Sequence, residues 1–320
     1  MEKISVVFIG LGRIASLLEN DPLREKPCTH AGAVAADPDC VIAAGMDTDS
    51  DRRSLFSKTW KCPTYSDAGQ MIETHNPQIA VVATQPELHE LYCTMAANYA
   101  IPLIICEKPL SDTHDGARRI AQLSPRILVN HERRYSKNYI RAKEILDSRE
   151  FGSLLSIKGS LAMGKNRNLR DMLWNDGTHL IDMILFLSGS AVKNVGKAWG
   201  TDLESKNGTA FLTGTLERGA EFVIEVGAGR DYVVFELECT CERGRIRIGN
   251  DGFDVWESGP SPYAKGFRAL IKRPEPVHGP TGYFVNMIAD AVTCVRNPSQ
   301  IPRSTAADAL AGIEFLNELD

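Results

Sequence analysis

The feature that most limits the fold is a glycine-rich turn directly after the first apolar run. Residues Ile4–Ile9 predict a buried strand, and the sequence Gly10-Leu11-Gly12-Arg13-Ile14-Ala15 follows it. In a βαβ unit the first glycine permits a tight turn, and the second lets the backbone approach a pyrophosphate. The small third residue allows close helix–strand packing. We therefore expect a helix over Ile14–Leu18 and a dinucleotide site that includes Gly10, Gly12, Arg13 and Ile14.

Apolar runs alternate with amphipathic stretches through the first 130 residues. The expected strands are Ile4–Ile9, Val41–Met46, Ile79–Ala83, Leu103–Cys106 and Ile127–Val129. The helical patterns between them lie near Ile14–Leu18, Ser50–Lys58, Asp67–Thr74, Pro86–Asn98 and Asp112–Gln122. Nearly continuous Val and Ile runs suit strands buried on both faces, as in a parallel sheet covered by helices. The alternation predicts an α/β fold with a doubly wound parallel sheet, a Rossmann domain over residues 1–130.

The pattern changes after residue 130, where most apolar runs are joined by short turns. After a helix at Ser136–Asp147, the expected strands are Leu154–Ala162, Thr209–Leu216, Glu221–Val226, Tyr232–Thr240, Arg245–Ile248 and Phe253–Trp256, with a helix at His179–Leu187. The turns at 217–220 and 242–244 predict antiparallel hairpins. The Pro- and Gly-rich segment Ser258–Pro280 is predicted to be a loop, followed by helices at Tyr283–Val295 and Thr305–Leu319. Residues 131–320 are therefore expected to form an α+β domain for substrate binding and oligomerisation.

Charge and composition exclude several classes of protein. The 320 residues carry a net charge of -5, which gives no general attraction to nucleic acid or to an anionic membrane. We find no apolar run near the roughly 20 residues of a membrane span, and no export signal at the start. The eight cysteines are scattered without a CxxC pair, so we expect reduced, buried thiols, no metal site and a cytoplasmic location.

Asp47 stands at the end of the second predicted strand. A carboxylate there accepts hydrogen bonds from the adenosine ribose and repels a 2′-phosphate, which favours NAD over NADP. The interval from the glycine-rich turn is longer than usual, and the polar stretch Glu19–Thr29 accounts for it as an insertion. The alternative is that Asp47 only caps the next helix. Arg13, Arg52 and Arg53 are close enough in sequence to keep NADP possible.

Four further motifs extend the pattern of the glycine-rich turn. They are Ala83-Thr84-Gln85-Pro86-Glu87-Leu88-His89, Cys106-Glu107-Lys108-Pro109, Asn130-His131-Glu132-Arg133-Arg134-Tyr135 and Asn175-Asp176-Gly177-Thr178-His179-Leu180-Ile181-Asp182. Near the end of the chain, Ile301-Pro302-Arg303-Ser304 precedes an Ala- and Leu-rich helix. In combination, these motifs resemble the Gfo/Idh/MocA family of oxidoreductases over essentially the whole chain.

The resemblance implies roles for the residues around the nicotinamide. The lysine of the family's Glu-Lys-Pro element lies beside the nicotinamide ribose and the reacting carbon, and Lys108 matches it. An ammonium there can stabilise charge on a substrate oxygen or exchange a proton. Glu107 would position this lysine and the cofactor, and Thr84, Pro86 and His89 would flank the nicotinamide half. The alternative for Lys108 is a solvated surface lysine.

On the substrate side, the resemblance implies a histidine that acts as acid or base, preceded by an aspartate. His179 matches the histidine, but Asn175 stands where the family usually has aspartate. Asparagine can orient an imidazole or bind a hydroxyl, yet it cannot accept a proton. The departure weakens the acid/base assignment more than the oxidoreductase assignment. The alternative for His179 is a structural histidine at a helix start.

Cationic and aromatic side chains suggest the kind of substrate. Arg133 and Arg134 follow the last strand of the first domain, and Lys165, Arg167 and Arg170 precede Trp174. Such a cluster suits a phosphate, a carboxylate or a nucleotide sugar, or it is a solvated loop. Tyr135 and Trp174 could stack on a sugar or could serve packing. The candidate substrate-binding residues are Arg134, Tyr135, Trp174, Asn175 and His179.

The sequence thus predicts an NAD(P)-dependent oxidoreductase for a hydroxyl or keto carbon. The substrate class is a sugar, sugar acid, cyclitol or nucleotide sugar, and relatives lead us to expect a homodimer or homotetramer. One alternative is a glycosidase that oxidises its substrate transiently with tightly held NAD. Another is a non-catalytic dinucleotide-binding regulator, which the missing aspartate favours and the retained Lys108 and His179 oppose.

Overall fold

The computed structural model describes residues 2–123, 126–165, 167–196, 199–276 and 282–318. The chain divides into two compact units. The first contains Met1–Ser136 and Pro280–Ile313, and the second contains Lys137–Gly279 and Glu314–Asp320. The first unit thus includes a later segment that the predicted division at residue 130 assigned to the second domain.

The first unit is a parallel sheet with helices. Its strands are β1 (Ile4–Ile9), β2 (Cys40–Met46), β3 (Thr64–Tyr65), β4 (Ile79–Val82), β5 (Leu103–Cys106) and β6 (Ile127–Val129). Its helices are α1 (His30–Ala36), α2 (Ser50–Trp60), α3 (Ala68–His75), α4 (His89–Asn98), α5 (His114–Leu123), α9 (Tyr283–Arg296) and the start of α10 (Ala306–Asn317). The strand order is β3-β2-β1-β4-β5-β6, and every pair is parallel. This arrangement confirms the predicted doubly wound sheet.

The predicted helix over Ile14–Leu18 is wrong in its form, because the insertion divides it. The chain makes turns after Gly12 and a short 3-10 helix at Leu17–Asn20, and α1 begins only at His30. The backbone N–H of His30 nevertheless donates to the Ile14 carbonyl at 3.2 Å, and that of Ala31 donates to the Ala15 carbonyl at 2.9 Å. These are the bonds that a continuous helix would make with residues 18 and 19, so the helical register continues across the inserted loop.

The second unit contains a nine-stranded sheet of order β15-β14-β13-β12-β7-β11-β10-β8, with β9 paired to β10. Its strands are β7 (Leu154–Met163), β8 (Val192–Val195), β9 (Trp199–Gly200), β10 (Gly208–Leu216), β11 (Glu221–Ala228), β12 (Val233–Cys241), β13 (Gly244–Gly249), β14 (Gly252–Pro260) and β15 (Arg268–Arg273). Its helices are α6 (Lys137–Asp147), α7 (Leu169–Met172) and α8 (Thr178–Ser188). Within the described strands of this sheet, only the β7–β11 pair is parallel, which confirms the mostly antiparallel prediction.

The loop predicted at Ser258–Pro280 is wrong at Ser258–Pro260 and at Arg268–Arg273, which are strand residues. Strand β14 continues to Pro260, and β15 pairs antiparallel with it from Arg268 to Arg273. Four of the six β15 residues are exposed, including Leu270 and Ile271, so the strand lacks the buried alternation that identifies strands in sequence. Residues 277–280 of the predicted loop lie outside the described residues.

The structure agrees with the prediction that the cysteines are reduced and buried. All eight are free, buried thiols, and burial raises the pKa of the Cys40 thiol to about 12. In the described parts of the chain, no helix is long and apolar enough to cross a bilayer.

Candidate functional site

The parallel sheet of the first unit brings the candidate cofactor residues to one edge. Gly10 follows β1, Asp47 follows β2, Thr84 lies just beyond β4, and Glu107 with Lys108 follows β5. Because the strands are parallel, these carboxyl ends share an edge, and the strand order reverses between β1 and β4. Ligands of doubly wound sheets bind at such a switch point.

The two glycines of the turn have different surroundings. Gly10 has a φ of 90°, and a Cβ there would lie 2.7 Å from the Ala83 carbonyl oxygen at the end of β4. A Cβ on Gly12 would meet nothing within 4 Å. Gly10 is therefore required by the fold itself, whereas the surface over Gly12 is open for the close approach of a pyrophosphate. Arg13 is exposed and Ile14 is half-buried beside it.

The carboxylate of Asp47 holds the turn. Its Oδ2 accepts a hydrogen bond from the backbone N–H of Leu11 at 2.9 Å, and its Oδ1 accepts one from Asp49 at 3.0 Å. The guanidinium of Arg52 lies 3.6 Å from Oδ2. Asp49, and not Asp47, caps α2, so the structure does not support the helix-capping alternative. Asp47 is buried, and each of its oxygens keeps a second lone pair that could accept a ribose hydroxyl.

His89 occupies the interior between two loops. Its side chain is fully buried, with Nδ1 3.0 Å from the Pro109 carbonyl oxygen and Nε2 3.2 Å from the Thr84 carbonyl oxygen. The imidazole therefore joins the loop after β4 to the loop after β5. Thr84 and Pro86 are half-buried on the first of these loops.

Glu107 is a buried carboxylate with three nearby donors. Its Oε1 lies 2.7 Å from Nε2 of His30 and accepts from Nδ2 of Asn130 at 2.6 Å. Its Oε2 accepts the backbone N–H of Lys108 at 3.3 Å. Burial alone would raise the pKa of this carboxyl. Four interactions lower it: the hydrogen bond from His30, the charge of His30, the hydrogen bond from Asn130 and the charge of Lys108. Together they outweigh the effect of burial, so the pKa of Glu107 lies below its ordinary value.

Lys108 is half-buried, directly after this carboxylate, and its peptide bond to Pro109 is cis. Its neighbourhood also contains Glu132. Burial raises the pKa of the Glu132 carboxyl, although the charges of Arg133 and Lys108 lower it in part. The lysine thus stands among two carboxyl groups at the edge of the sheet where ligands collect, which is unlike a solvated surface position.

Arg134 and Tyr135 are engaged within the first unit. Arg134 is buried, donates to the Arg303 carbonyl at 3.0 Å and lies 3.2 Å from Asp308. The Tyr135 hydroxyl donates to Asp290 at 2.9 Å, and burial raises its pKa well above the ordinary value, with a further rise from Asp290. These contacts favour the packing interpretation of Tyr135 over contact with substrate. Arg134 is buried and engaged within the protein, which agrees neither with a solvated loop nor with the predicted contact with substrate.

In the second unit, the substrate-side motif lies in a π-helical segment, Leu173–Gly177, between α7 and α8. Such segments are rare and frequent at functional sites. Asn175 is exposed there, and its Nδ2 donates to the Asp171 carbonyl at 2.8 Å. His179 is buried in the first turn of α8, and Trp174 packs partly against the core of this unit.

The cations of the preceding loop are neutralised by acidic partners. Arg167 pairs with Asp176, Arg170 pairs with Glu204 at 2.6 Å, and Lys165 lies 3.9 Å from Asp231. These pairs favour the interpretation of a solvated loop over that of an anion site.

Two residues that contact Glu107 were not predicted as part of the site. His30 is fully buried against Glu107 although it lies 77 positions earlier in the chain, and Asn130 contacts the same oxygen from 23 positions later. Their only sequence signals are weak: His30 begins a helical run, and Asn130 follows the last parallel strand.

The chain is similar to known proteins. Residues 4–127 match the sequence model of the Gfo/Idh/MocA family, described as an oxidoreductase family with an NAD-binding Rossmann fold. An inositol 2-dehydrogenase of Corynebacterium glutamicum is 26% identical over 244 residues, which cover 72% of this chain and 69% of that protein.

Solved structures match over the full chain. A dehydrogenase from Chromobacterium violaceum has a TM-score of 0.81 at 17% identity, covering 100% of this chain and 95% of that one. A dehydrogenase from Bordetella pertussis, solved in complex with NADH and UDP-GlcNAcA, has a TM-score of 0.76 at 17% identity and covers 99% of this chain and 95% of that one. At this level of identity the likeness establishes the two-domain fold.

Proposed function

Because the chain belongs to the Gfo/Idh/MocA oxidoreductase family, we propose that it is an NAD-dependent dehydrogenase or reductase of a sugar-like substrate. The reaction joins a hydroxyl and a keto carbon of a sugar, cyclitol, sugar acid or nucleotide sugar. The relatives matched in sequence carry the name inositol 2-dehydrogenase. These names do not favour a transient-oxidation glycosidase or a non-catalytic regulator.

The observation that carries the proposal is the arrangement at the edge of the parallel sheet. The open backbone at Gly12, the carboxylate of Asp47 and the Glu107–Lys108 corner follow β1, β2 and β5. The space over Gly12 is open, since a Cβ there would meet nothing within 4 Å, and it would admit a dinucleotide pyrophosphate. When bound, the nicotinamide supplies the hydride acceptor or donor.

The protein's own groups would handle charge and protons. The ammonium of Lys108 would stabilise negative charge on the substrate oxygen, or its neutral amine would take up the proton of the hydroxyl. We assign to His179 the part of a proton acceptor on the substrate side, and to Asn175 that of a hydroxyl ligand or of an orienting group for the imidazole. Asn175 contributes no charge in either case.

NAD is favoured over NADP because Asp47 would face the adenosine ribose. A buried carboxylate with its negative charge repels a 2′-phosphate. Arg52 lies 3.6 Å from Asp47, and this pairing reduces the attraction that Arg52 would otherwise offer to such a phosphate.

Among the substrate classes, the paired cations of the loop favour an uncharged polyol. Arg167 and Arg170 each engage a carboxylate, so an anionic substrate would have to displace these partners. We also expect the enzyme to be a homodimer or homotetramer.

The test is a titration of the purified protein with NADH and then NADPH, followed by a turnover screen with a panel of cyclitols, sugars and nucleotide sugars. We expect tighter binding of NADH than of NADPH, and NAD reduction with at least one polyol. Of these two results, only the NAD reduction requires Lys108. Lys108→Met should abolish turnover and keep NADH binding. Absence of binding of either cofactor by folded protein free of bound nucleotide would overturn the proposal.

A further inference from the structure

The imidazole of His30 has a single polar function in the structure. The side chain is fully buried, and its Nε2 lies 2.7 Å from Oε1 of Glu107. Within the described residues, its other ring nitrogen has no hydrogen-bond partner. The edge of the ring packs against Phe284, with ring centroids 5.2 Å apart. The contact to Glu107 is therefore what this histidine provides.

The backbone of His30 is fixed from the other side. Its N–H donates to the Ile14 carbonyl of the glycine-rich turn at 3.2 Å. The preceding residue, Thr29, caps α1 by accepting the Gly32 N–H at 3.0 Å, and its hydroxyl donates to Glu19 at 2.7 Å. His30 is thus hydrogen-bonded to the glycine-rich turn through its main chain and to Glu107 through its side chain.

The geometry at Glu107 determines what this contact does. His30 and Asn130 both bind Oε1, which leaves Oε2 to accept the backbone N–H of Lys108 at 3.3 Å. Two donors on one oxygen fix the plane of the carboxylate. A fixed carboxylate in turn fixes the main chain at the point where the Lys108 side chain begins.

We propose that His30 is a positioning residue that holds Lys108 in place through Glu107 and ties this corner to the glycine-rich turn. The role rests on the proposed function, in which Lys108 acts on the substrate oxygen. A displacement of a catalytic group by about 1 Å can cost about 100-fold in rate. The geometry therefore predicts a large effect from a residue that itself lies out of reach of solvent.

Two substitutions separate this role from simple packing. His30→Gln places an amide nitrogen where Nε2 stands, so it keeps the donor to Glu107. His30→Asn is shorter and places its amide near the position of Nδ1, so it loses that donor. Both are neutral and polar, and both keep the backbone bond to Ile14. His75→Asn is the control, because His75 is a helix-terminal histidine that contacts Tyr65 at 3.0 Å.

The first readout is kinetic. We expect His30→Asn to lower kcat by about 100-fold, with NADH binding as tight as in the native protein. His30→Gln should recover most of kcat, and His75→Asn should leave it unchanged. Native kcat in His30→Asn would overturn the proposal, and so would an equal loss in both His30 variants.

The second readout needs no turnover. Reductive ¹³C-methylation labels the lysines of the cofactor-free protein, and Lys108→Arg assigns the Lys108 resonance. This resonance should move in His30→Asn and stay in place in His30→Gln and His75→Asn. If the native protein binds no NADH and oxidises no polyol, the proposed function fails. The resonance then still reports whether His30 positions the lysine, and an unmoved signal in His30→Asn would refute that role.

Discussion

The carboxylate of Asp47 accepts a hydrogen bond from the backbone N–H of Leu11, 2.9 Å away. One side chain thus stabilises the glycine-rich turn and, in the proposed function, also accepts the hydroxyls of the adenosine ribose. In Asp47→Asn, one carboxylate oxygen becomes an NH2 group, which would face the backbone N–H of either Leu11 or Asp49. That N–H would lose its hydrogen-bond acceptor. We expect the free energy of unfolding to fall by about 1–3 kcal/mol, and the NADH preference over NADPH to shrink.

Urea denaturation and parallel NADH and NADPH titrations measure both effects. Asp51→Asn, in the exposed first turn of α2, is the matched control and should change stability by less than about 0.5 kcal/mol. An unchanged ratio of NADH to NADPH affinity in Asp47→Asn would contradict the assignment of Asp47 to the ribose.

The two glycines of the turn should respond in opposite ways to alanine. Gly10→Ala forces a Cβ to within 2.7 Å of the Ala83 carbonyl oxygen at a φ of 90°, so it should destabilise the fold by about 1–3 kcal/mol. Gly12→Ala meets no neighbour within 4 Å, so its thermal unfolding should match the native protein. NADH affinity should nevertheless be lost in Gly12→Ala. Normal NADH binding by this variant would show that no pyrophosphate lies over Gly12.

Glu107 should make stability depend on pH in the acid range. Its pKa in the folded protein is below the ordinary value, so the unfolded chain binds this proton more readily. The contribution is therefore complete above about pH 4.3, the ordinary pKa of a glutamate, and is lost as the pH falls through the lower folded pKa. Glu107→Gln should flatten this part of the stability profile.

Chemical denaturation at a series of pH values between neutral and acidic measures the profile. Glu90→Gln serves as a comparison, since the pKa of Glu90 is also lowered, by the hydrogen bond from Arg119 at the surface. The surface pair should contribute less and should weaken with salt. Identical acid profiles for native protein and Glu107→Gln would argue against a charged Glu107.

Most of the parallel sheet was predictable because its strands are short apolar runs bounded by turn residues. The bounds of β1, β5 and β6 agree with the prediction to the residue. Strands β8, β9 and β15 were missed, because they are short or exposed and carry no buried alternation. The π-helical segment at Leu173–Gly177 also has no sequence signal, since it differs from an α-helix only in its hydrogen bonding.

The candidate site was predictable where a residue's function depends on its local motif. Gly10, Asp47 and Lys108 lie at the ends of strands that the sequence identifies. The contacts of Glu107 could not be derived, because His30 and Asn130 reach it only through the folding of distant segments. The burial of Arg134 and Tyr135 depends likewise on α9 and on the segment at Arg303, more than 150 positions along the chain.

Removal of residues 18–29 should leave the first unit folded. The backbone bonds from His30 to Ile14 and from Ala31 to Ala15 already have the register of a continuous helix. Joining Leu17 to His30 would place His30 four positions after Ile14, which is the α-helical spacing that its bond to Ile14 already has. Stability should therefore change by about 1 kcal/mol. Circular dichroism and thermal unfolding test the fold, and NADH titration tests the turn. A protein that loses its helical signal would show that the loop is needed to start α1.

The interruption of this helix also means that the inserted loop can be made longer. Where a helix resumes in register after an inserted loop, the length of the loop can change, in evolution or by design, without repacking of the core. A guest domain whose two termini lie close together could be grafted in place of the loop. The graft would then lie beside the turn that we propose holds the pyrophosphate.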